Sequence, residues 1–433
     1  STGGCSFYNQ MSFENDLSTS AIYSFANAQT DTFLMSSSFT NKGGTFTLNK
    51  GLFYGKCSID NKAASVGEGF YISSTGTCTF KDSLYFIEIN SPGVRFGSSG
   101  GITVLDSNST FVTEISTGGI LFMQNVTKLS TSTLTMEESP SELTLTSGNS
   151  FNGNFNFHGN SIVSTGTTFN SATTLKMHPT SNLTFGGGNT FNGTTIIQDS
   201  SSTAHNTYLA NSTADDYNAN VTFIQKGTSV NLYPAYTKNS TFSGNITTDG
   251  TSSMQFGGNG GTVVFDGTSA QSINRGTTSL YPTIKKLQVN KASNSLTINS
   301  PLIVSDSLQL TNGRINTDTT NLLSISHGGK LIGGSDSTYI NGPLKKTGNA
   351  AFTFAVGSSS LAYPYHPLEI TAPVSSTDSY TAQYFPTGQN FGSVSDTSVD
   401  NLNECQYWRL TRNSGVSKVK LKLSWNNDTC LLL

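Results

Sequence analysis

Short stretches in which apolar and polar residues alternate recur between residues 101 and 335. Examples are residues 143–145, 155–157 and 221–223, each with a polar residue between two apolar ones. A period of two is the pattern of a β-strand with one buried face, because successive side chains point to opposite sides. No window of about 12 residues has the 3.6-residue period of an amphipathic helix. The pattern therefore predicts an all-β chain of many short strands.

A phrase of Gly, Asn and Phe recurs between these strands. Residues 148–153 read Gly-Asn-Ser-Phe-Asn-Gly, residues 188–193 read Gly-Asn-Thr-Phe-Asn-Gly, and residues 239–244 are a looser copy. The first two phenylalanines lie 40 positions apart (191 − 151 = 40). Gly and Asn tolerate the left-handed backbone angles that corners require. This degenerate repeat predicts stacked coils, namely a right-handed parallel β-helix, with a string of antiparallel sandwiches as the rival fold.

The two ends of the chain differ from this centre. Residues 1–100 are rich in aromatic strand-like segments, and we interpret them as an N-terminal cap with the first coils, since the open end of a solenoid must be covered. Residues 101–335 are assigned to the parallel β-helix. Residues 336–433 contain longer strand candidates, such as 419–425, where Lys420 and Lys422 alternate with apolar residues expected to face inward. This last segment predicts a small antiparallel β-sandwich.

Composition supports stacked coils. Charged residues make up 11% of the chain, against roughly 25% in an average soluble protein. In stacked coils a repeated Lys or Glu would form a ladder of like charges, which is repulsive, whereas Ser, Thr and Asn can hydrogen-bond along the ladder. The 27 Phe and 16 Tyr residues and the net charge of −3 argue against a disordered chain.

The same numbers exclude some functions. The five arginines are scattered and no basic stripe is visible, so we predict no nucleic-acid binding. No run of 18 apolar residues exists, which predicts no membrane-spanning helix. The small, polar start at Ser1 has no signal peptide and suits an N-terminus that has already been cleaved.

Candidate catalytic groups are dispersed. Carboxylates are adjacent at Glu137–Glu138 and Asp215–Asp216, but neighbouring side chains on a strand point to opposite faces, so neither pair makes a dyad. The five histidines are isolated and match no metal-binding motif. We therefore predict no catalytic residue, metal ligand or cofactor. A carbohydrate-active β-helix, of the polysaccharide lyase or hydrolase kind, is the alternative.

Three tyrosines are candidate sites for glycan stacking. Tyr233, Tyr236 and Tyr281 lie beside prolines that break strands, where an aromatic ring could stack on sugar rings or simply cover the core.

The five cysteines have no metal-ligand spacing. Cys405 and Cys430 are candidates for a disulfide that closes a loop in the last domain. Among Cys5, Cys57 and Cys78 we expect one pair and one free thiol. The alternative is that all five are buried, reduced thiols.

The last third of the chain resembles a known family. The residues that carry the resemblance are 308–316, 339–348, 352–357, 363–370, 380–384, 404–410 and 421–425. Over about residues 285–425 the chain is similar to a module of Bacteroidota cell-surface proteins. These are large adhesin-like proteins exported by the type IX secretion system, some of which serve gliding motility. Unlike them, the chain has no recognisable sorting domain at its end, which suggests cleavage or a fragment.

The resemblance implies an extracellular structural or adhesive surface protein, a rigid solenoid stalk without enzymatic activity. Its implied partners are the type IX secretion machinery or an outer-membrane anchor, and a surface polysaccharide or another cell surface. A subunit of a polymeric surface filament is a further alternative. The resemblance also implies O-glycosylation at Ser83, Ser307 and Thr319, which follow Asp, although the same residues are common in ordinary turns.

Overall fold

The computed structural model describes residues 4–16, 22–63, 69–90, 93–106, 111–113, 119–137, 142–227, 230–251, 254–276, 281–388 and 405–424. These residues form β-strands and connecting turns, with no α-helix among them. The chain divides into two compact units, Ser1–Leu232 and Tyr233–Leu433.

The first unit is a parallel β-solenoid with three sheets. The first sheet contains ten strands that pair in parallel in chain order: Ser6–Phe7, Asp31–Phe33, Gly51–Phe53, Thr77–Phe80, Ile102–Leu105, Val126–Lys128, Ser150–Phe151, Thr168–Phe169, Thr190–Phe191 and Asp215–Tyr217. At a spacing of about 4.8 Å between strands, this sheet extends about 43 Å along the coil axis.

The other two sides of the coils are also parallel. The second side contains Met11–Asp16, Ser37–Gly43, Cys57–Asn61, Leu84–Ile89 and Phe111–Thr113, then Leu134–Glu137, Phe155–Gly159, Thr173–Met177, Thr195–Asp199 and Val221–Gln225. The third sheet contains Ile22–Phe25, Thr45–Leu48, Gly69–Ile72, Val94–Phe96, Ile120–Met123, Glu142–Leu145 and Ser161–Ser164. Leu183–Thr184 and His205–Tyr208 form a separate pair on this third side, and Val230–Tyr233 contains the boundary between the units.

Aromatic columns fill the interior of the first unit. The rings of Phe33 and Phe53 are 4.6 Å apart and those of Phe53 and Phe80 are 4.7 Å apart, nearly parallel in both cases. These distances match the spacing of paired strands, so each inward Phe lies on the Phe of the next coil. All three side chains are buried. The alternation of the sequence thus becomes a continuous core.

The Gly/Asn/Phe phrase recurs every second coil. Phe151 pairs with Phe169 and Phe169 pairs with Phe191, so the two clear copies of the phrase lie two coils apart. The intermediate coil carries Thr167 and Ser171 where the phrase has Asn and Gly. The separation of 40 positions is therefore two coils.

Asparagine ladders connect successive coils at a buried corner. The Asn15 amide donates to Asn41 Oδ1 at 2.8 Å, the Asn41 amide donates to Asn61 Oδ1 at 3.0 Å, and the Asn61 amide donates to the Gly93 carbonyl at 3.0 Å. Asn41 and Asn61 are each both donor and acceptor, which satisfies buried polar atoms without placing charge at this corner.

A second ladder lies on the outside of the first unit. Asn170 Nδ2 donates to Asn152 Oδ1 at 2.9 Å, Asn192 Nδ2 donates to Asn170 Oδ1 at 2.8 Å, and Asn218 Nδ2 donates to Asn192 Oδ1 at 2.8 Å. The sequence intervals are 18, 22 and 26 residues, so the coils differ in length while this register is kept. All donors therefore point in one direction along the coil axis.

Glycine is required where two coils approach most closely at a corner. A Cβ atom at Gly101 would lie 1.7 Å from the Ser73 carbonyl oxygen. Gly187 has a φ of +88°, and a Cβ atom there would lie 1.9 Å from the Thr213 carbonyl oxygen. No side chain fits at either position.

The second unit begins with parallel coils. Its strands are Ser240–Phe242, Ile246–Gly250, Gln255–Phe256, Val263–Phe265, Gln271–Arg275, Thr283–Ile298, Leu302–Asn316, Leu323–Ile325, Lys330–Gly333 and Ile340–Asn341. Thr283–Ile298 pairs along its length with three earlier strands, and its pairing with Leu302–Asn316 shifts register in three places. These irregularities let one long strand pass round several sides of a coil.

Two small antiparallel sheets follow. One contains Leu344–Thr347, Ser379–Phe385 and Tyr407–Ser414, and the other contains Phe352–Phe354, Leu368–Ile370 and Leu421–Leu423. Leu344–Thr347 also pairs in parallel with Leu323–Ile325, and Ile340–Asn341 pairs in parallel with Val356–Gly357. Parallel pairing thus extends past residue 335. The prediction of an all-β chain, a parallel solenoid followed by a small antiparallel region, is confirmed.

One detail of the predicted last strand is wrong. Leu421 and Leu423, expected to face inward, are 52% and 49% exposed. Among the described residues, the strand that contains them pairs only with Leu368–Ile370, so it is an edge whose side chains remain open to solvent.

Candidate functional site

A polar cleft interrupts the third side of the first unit. Ser161–Ser164 pairs with Glu142–Leu145, while Leu183–Thr184 in the next coil pairs with His205–Tyr208. The two pairs belong to separate sheets, and an isolated bridge between Thr165 and Gly187 is the backbone pairing next to the gap. The resulting cavity has a volume of about 460 Å³.

The lining of this cleft consists mainly of hydroxyl and amide groups. It contains Glu142, Asn160, Ser161, Thr180, Asn182 and Thr184 among others. Glu142 accepts a hydrogen bond from Thr144 Oγ1 at 2.9 Å, and Asn182 Oδ1 accepts one from the Asn206 backbone N–H at 2.9 Å. Such neutral donors and acceptors match the hydroxyl groups of a saccharide. Among the described residues that line the cleft, Glu142 is the single carboxylate, whereas glycoside hydrolysis ordinarily uses two.

The adjacent carboxylates of the sequence are separated as expected. In Asp215–Tyr217, the Asp215 side chain is buried and the Asp216 side chain is half-buried on the other face. Asp215 Oδ1 accepts hydrogen bonds from the backbone N–H and the side-chain amide of Asn189, at 2.9 and 3.0 Å. Burial nevertheless raises the pKa of Asp215 to about 6. Glu138 of the other pair lies outside the described residues.

A buried Asp–His pair was not predicted from the sequence. His205 Nε2 lies 2.8 Å from Asp199 Oδ2, and His205 Nδ1 lies 2.7 Å from the Thr203 carbonyl oxygen. Both ring nitrogens thus lie within hydrogen-bond distance of an oxygen. Thr207 Oγ1 also donates to Asp199 Oδ2 at 2.6 Å. Neither the Asp nor the His side chain is exposed, so the cluster fastens the loop between them and does not face a ligand.

Three lysines have buried ammonium groups held by uncharged oxygens. Lys128 Nζ donates to the carbonyl and hydroxyl oxygens of Ser130 and Ser132. In the second unit, Lys291 Nζ donates to two carbonyls and to Gln271 Oε1, and Lys346 Nζ donates to the carbonyls of residues 326 and 329. Burial lowers the pKa of all three, that of Lys346 to about 8. Their contacts hold loops against the coils.

The predicted glycan-stacking tyrosines all lie in the second unit. The rings of Tyr233 and Tyr236 are 5.6 Å apart and tilted, so the structure brings these two together. The Tyr281 ring is 45% exposed and lies 5.1 Å from the Arg275 guanidinium carbon. Glycan stacking on these rings stays a prediction.

The predicted glycosylation sites have three different settings. The Ser83 backbone N–H and hydroxyl donate to Asp82 Oδ1, as in a turn. Ser307 is half-buried within Leu302–Asn316 and pairs with residues on both neighbouring strands. Thr319 is exposed beside Asp318, whose pKa is lowered by hydrogen bonds from Asn321. Modification of all three stays a prediction.

The cysteine predictions have different outcomes. Cys57 and Cys78 are both buried free thiols, so the expected pair among the first three cysteines is wrong. Both occupy inward positions of strands, where a small apolar side chain is needed. Cys405 is disulfide-bonded. Cys430 lies outside the described residues, so its pairing with Cys405 stays a prediction.

Comparison with known proteins adds no relative. No family model, no curated protein and no solved structure matches this chain. Within the residues that the structure describes, there is no group of three or more His, Cys, Asp and Glu side chains placed to hold a metal ion. The same residues include no helix long and apolar enough to cross a membrane.

Proposed function

We propose that this chain is part of an extracellular, cell-surface protein whose β-solenoid forms a rigid stalk for attachment. The observation that carries the proposal is the ten-strand parallel sheet of the first unit, with its aromatic columns and its directional asparagine ladders. On the first side each coil pairs in parallel with the next, which stiffens the unit, and the solenoid presents a repeated polar surface. The resemblance of residues 285–425 to secreted adhesin-like proteins supports the same role.

In this proposal, the type IX secretion machinery exports the chain and an outer-membrane anchor retains it. The attachment partner is a surface polysaccharide or another cell surface. The polar cleft of the first unit supports a saccharide partner, because its lining offers hydroxyl and amide groups and little charge.

Two measurements test the proposal, one on the protein in its own cells and one on the purified chain. Antibodies against the purified chain should label intact cells, and protease added outside should remove that label. Beads coated with the purified chain should be retained under flow on polysaccharide-coated surfaces more than beads coated with albumin. Label that appears only after lysis, together with no bead retention, would contradict the proposal.

A second candidate function is carbohydrate cleavage in the polar cleft, and the presence of Glu142 in the lining favours it. In that case the purified chain should release reducing or unsaturated ends from a polysaccharide, and Glu142→Gln should abolish the release. Activity that is unchanged in this variant would place the reaction elsewhere, and no activity across neutral and acidic polysaccharides would reject the candidate.

A further inference from the structure

In the second unit, the antiparallel sheet that contains Leu344–Thr347, Ser379–Phe385 and Tyr407–Ser414 has a distinctive outer face. Directly opposite residues on antiparallel strands point to the same side. The opposed pairs on this side are Thr381 with Thr411, Gln383 with Arg409, and Phe385 with Tyr407. The intervening residues Ala382 and Tyr384 are buried on the other side. These six opposed residues are called the outer face below.

A cavity of about 240 Å³ lies on this face. That volume corresponds to on the order of eight water molecules, which is space for a single sugar ring. Its polar lining comes from Thr319, Thr381, Gln383, Arg409, Thr411 and Asn413. Thr319 belongs to a loop that is fixed by a 2.7 Å hydrogen bond from Thr317 Oγ1 to the Pro343 carbonyl. The cavity therefore has a preformed wall.

Arg409 is the cation of the cavity lining, and its position is set by aromatic rings. Its guanidinium carbon lies 4.9 Å from the centre of the Phe385 ring, and the Phe385 and Tyr407 rings stack at 4.5 Å. Stacking uses the planar surface of a guanidinium and leaves its N–H edge available for a carboxylate. Among the described residues, no carboxylate lies within ion-pair distance of Arg409 and none accepts a hydrogen bond from it.

The acidic residue beside the Thr319 wall is engaged in its own turn. Asp318 Oδ1 accepts hydrogen bonds from the backbone N–H groups of Thr320 and Asn321, each at 2.7 Å, and Oδ2 accepts one from Asn321 Nδ2 at 2.9 Å. These three donors hold the Asp318 carboxylate in its own turn.

We propose that this cavity binds an acidic saccharide, a uronate unit of a polysaccharide. The carboxylate of the uronate pairs with the N–H edge of Arg409, and its hydroxyl groups bond to Gln383, Thr411 and Asn413. One guanidinium, neutral hydroxyl and amide groups, and the apolar side chains of Leu322 and Pro343 match a sugar ring, which has a single charge, several hydroxyls and apolar C–H groups. An acidic peptide or a polyphosphate would bring a higher charge density. The inference rests on the proposed attachment role only for the biological source of the saccharide.

Isothermal titration of the purified full chain with oligogalacturonate tests this proposal. The methyl-esterified oligomer is the matched ligand control, because it keeps the sugar rings and loses the charge. We expect the acid form to bind at least about tenfold more tightly than the ester, since a charge-assisted hydrogen bond is lost with the ester. Added salt should weaken binding of the acid form.

Variants then locate the binding to the outer face. Arg409→Gln should weaken binding of the acid form at least about tenfold, and Arg409→Lys should also weaken it because an ammonium has neither the fork nor the planar surface. Lys420→Gln removes an exposed cation elsewhere in the second unit and should leave binding unchanged. Circular dichroism of each variant checks folding, and the comparison of acid and ester on the unmodified chain needs no variant.

Three results would overturn the inference: equal binding of acid and ester, unchanged binding in Arg409→Gln, or equally tight binding of polyglutamate or inorganic phosphate. The last would show a charge-only site without saccharide preference. Failure of the proposed function is distinguishable from these results. Binding through Arg409 without cell-surface labelling would reject the attachment role alone, and bead retention without Arg409-dependent binding would reject the inference alone.

Discussion

The outer asparagine ladder of the first unit has a direction, and two substitutions test it. Asn218 Nδ2 is a donor at one end, and Asn152 Oδ1 is an acceptor at the other. Aspartate has acceptors only. Asn218→Asp therefore removes a ladder bond, whereas Asn152→Asp keeps one. The two variants change the net charge equally, so the difference between them isolates the ladder.

The expected difference follows from the geometry. In Asn218→Asp the 2.8 Å bond to Asn192 Oδ1 is lost, and two acceptor oxygens face each other. Because the site is exposed, the loss should be about 1 kcal/mol in the free energy of unfolding. In Asn152→Asp the bond from Asn170 becomes charge-assisted and offsets the loss of a 3.4 Å contact with the Leu129 carbonyl. The variants should thus differ by about 1–2 kcal/mol.

The assay must report on the first unit. The two tryptophans of the chain lie at positions 408 and 425, so their fluorescence follows the second unit. Hydrogen exchange measured by mass spectrometry on peptides covering residues 150–220 gives the local stability of the ladder coils. Thermal unfolding by circular dichroism should give a midpoint lowered by about 2–4 °C per kcal/mol.

Repulsion from Asp216 is an alternative cause of any loss in Asn218→Asp, since both side chains lie on the outside of the same turn. Repeating the measurement at about 1 M salt, where the screening length is about 3 Å, removes this contribution and should leave most of the difference. Equal stabilities of the two variants at high salt, or the reverse order, would refute the directional ladder.

Three further predictions concern the interior of the first unit. Phe53→Ala should lower the free energy of unfolding by about 3–5 kcal/mol, because it removes a buried ring between two stacked neighbours. Tyr54 is 49% exposed, so Tyr54→Ala should change the free energy of unfolding by less than about 0.5 kcal/mol. Equal losses for the two variants in denaturant titrations would contradict the stacked core. Because burial raises the pKa of Asp215 from 3.8 to about 6, the folded state binds more protons between these values and stability falls as pH rises through them. Above about pH 6, Asp215→Asn should therefore be more stable than the unmodified chain by up to about 3 kcal/mol. This gain in the free energy of unfolding should vanish below about pH 4. A gain that does not depend on pH in denaturant titrations would refute the role of the Asp215 charge. Burial raises the pKa of the Cys57 and Cys78 thiols, that of Cys78 to about 11. Iodoacetamide should therefore label these two thiols only after unfolding. Rapid labelling of the native chain, measured by intact mass, would contradict their burial.

The alternating pattern was sufficient to predict the coils because burial in a short strand is a local property. Phe155 and Phe157 were assigned to inward positions from the sequence alone, and both are buried. The coil length could not be assigned, because the intermediate coil keeps Gly166, Phe169 and Asn170 but has Thr167 and Ser171 where the phrase has Asn and Gly. A repeat defined by exact residues misses a coil in which part of the phrase is changed.

The polar contacts of the interior were harder to predict, although a signal was present. Asp199 and His205 each continue an alternation of inward positions, after Ile197 and before Thr207 respectively. A polar residue at an inward position indicates a buried partner. The partner itself depends on the path of the loop between the strands. The outer face around Arg409 was missed for a similar reason, since cross-strand register joins residues that are far apart in sequence.

The break in the third sheet between Ser161–Ser164 and Leu183–Thr184 has a mechanical consequence. At this level the two coils are joined by ladders on the other two sides, through Thr168–Phe169 with Thr190–Phe191 and through Thr173–Met177 with Thr195–Asp199. Bending that widens the gap stretches an isolated bridge between Thr165 and Gly187 on the third side, whereas bending in any other direction strains a longer ladder. The first unit should therefore flex most easily in the direction that widens the gap on its third side, as a hinge does. A force that pulls the two coils apart on this side would open the cleft before it separated the coils on the other two sides.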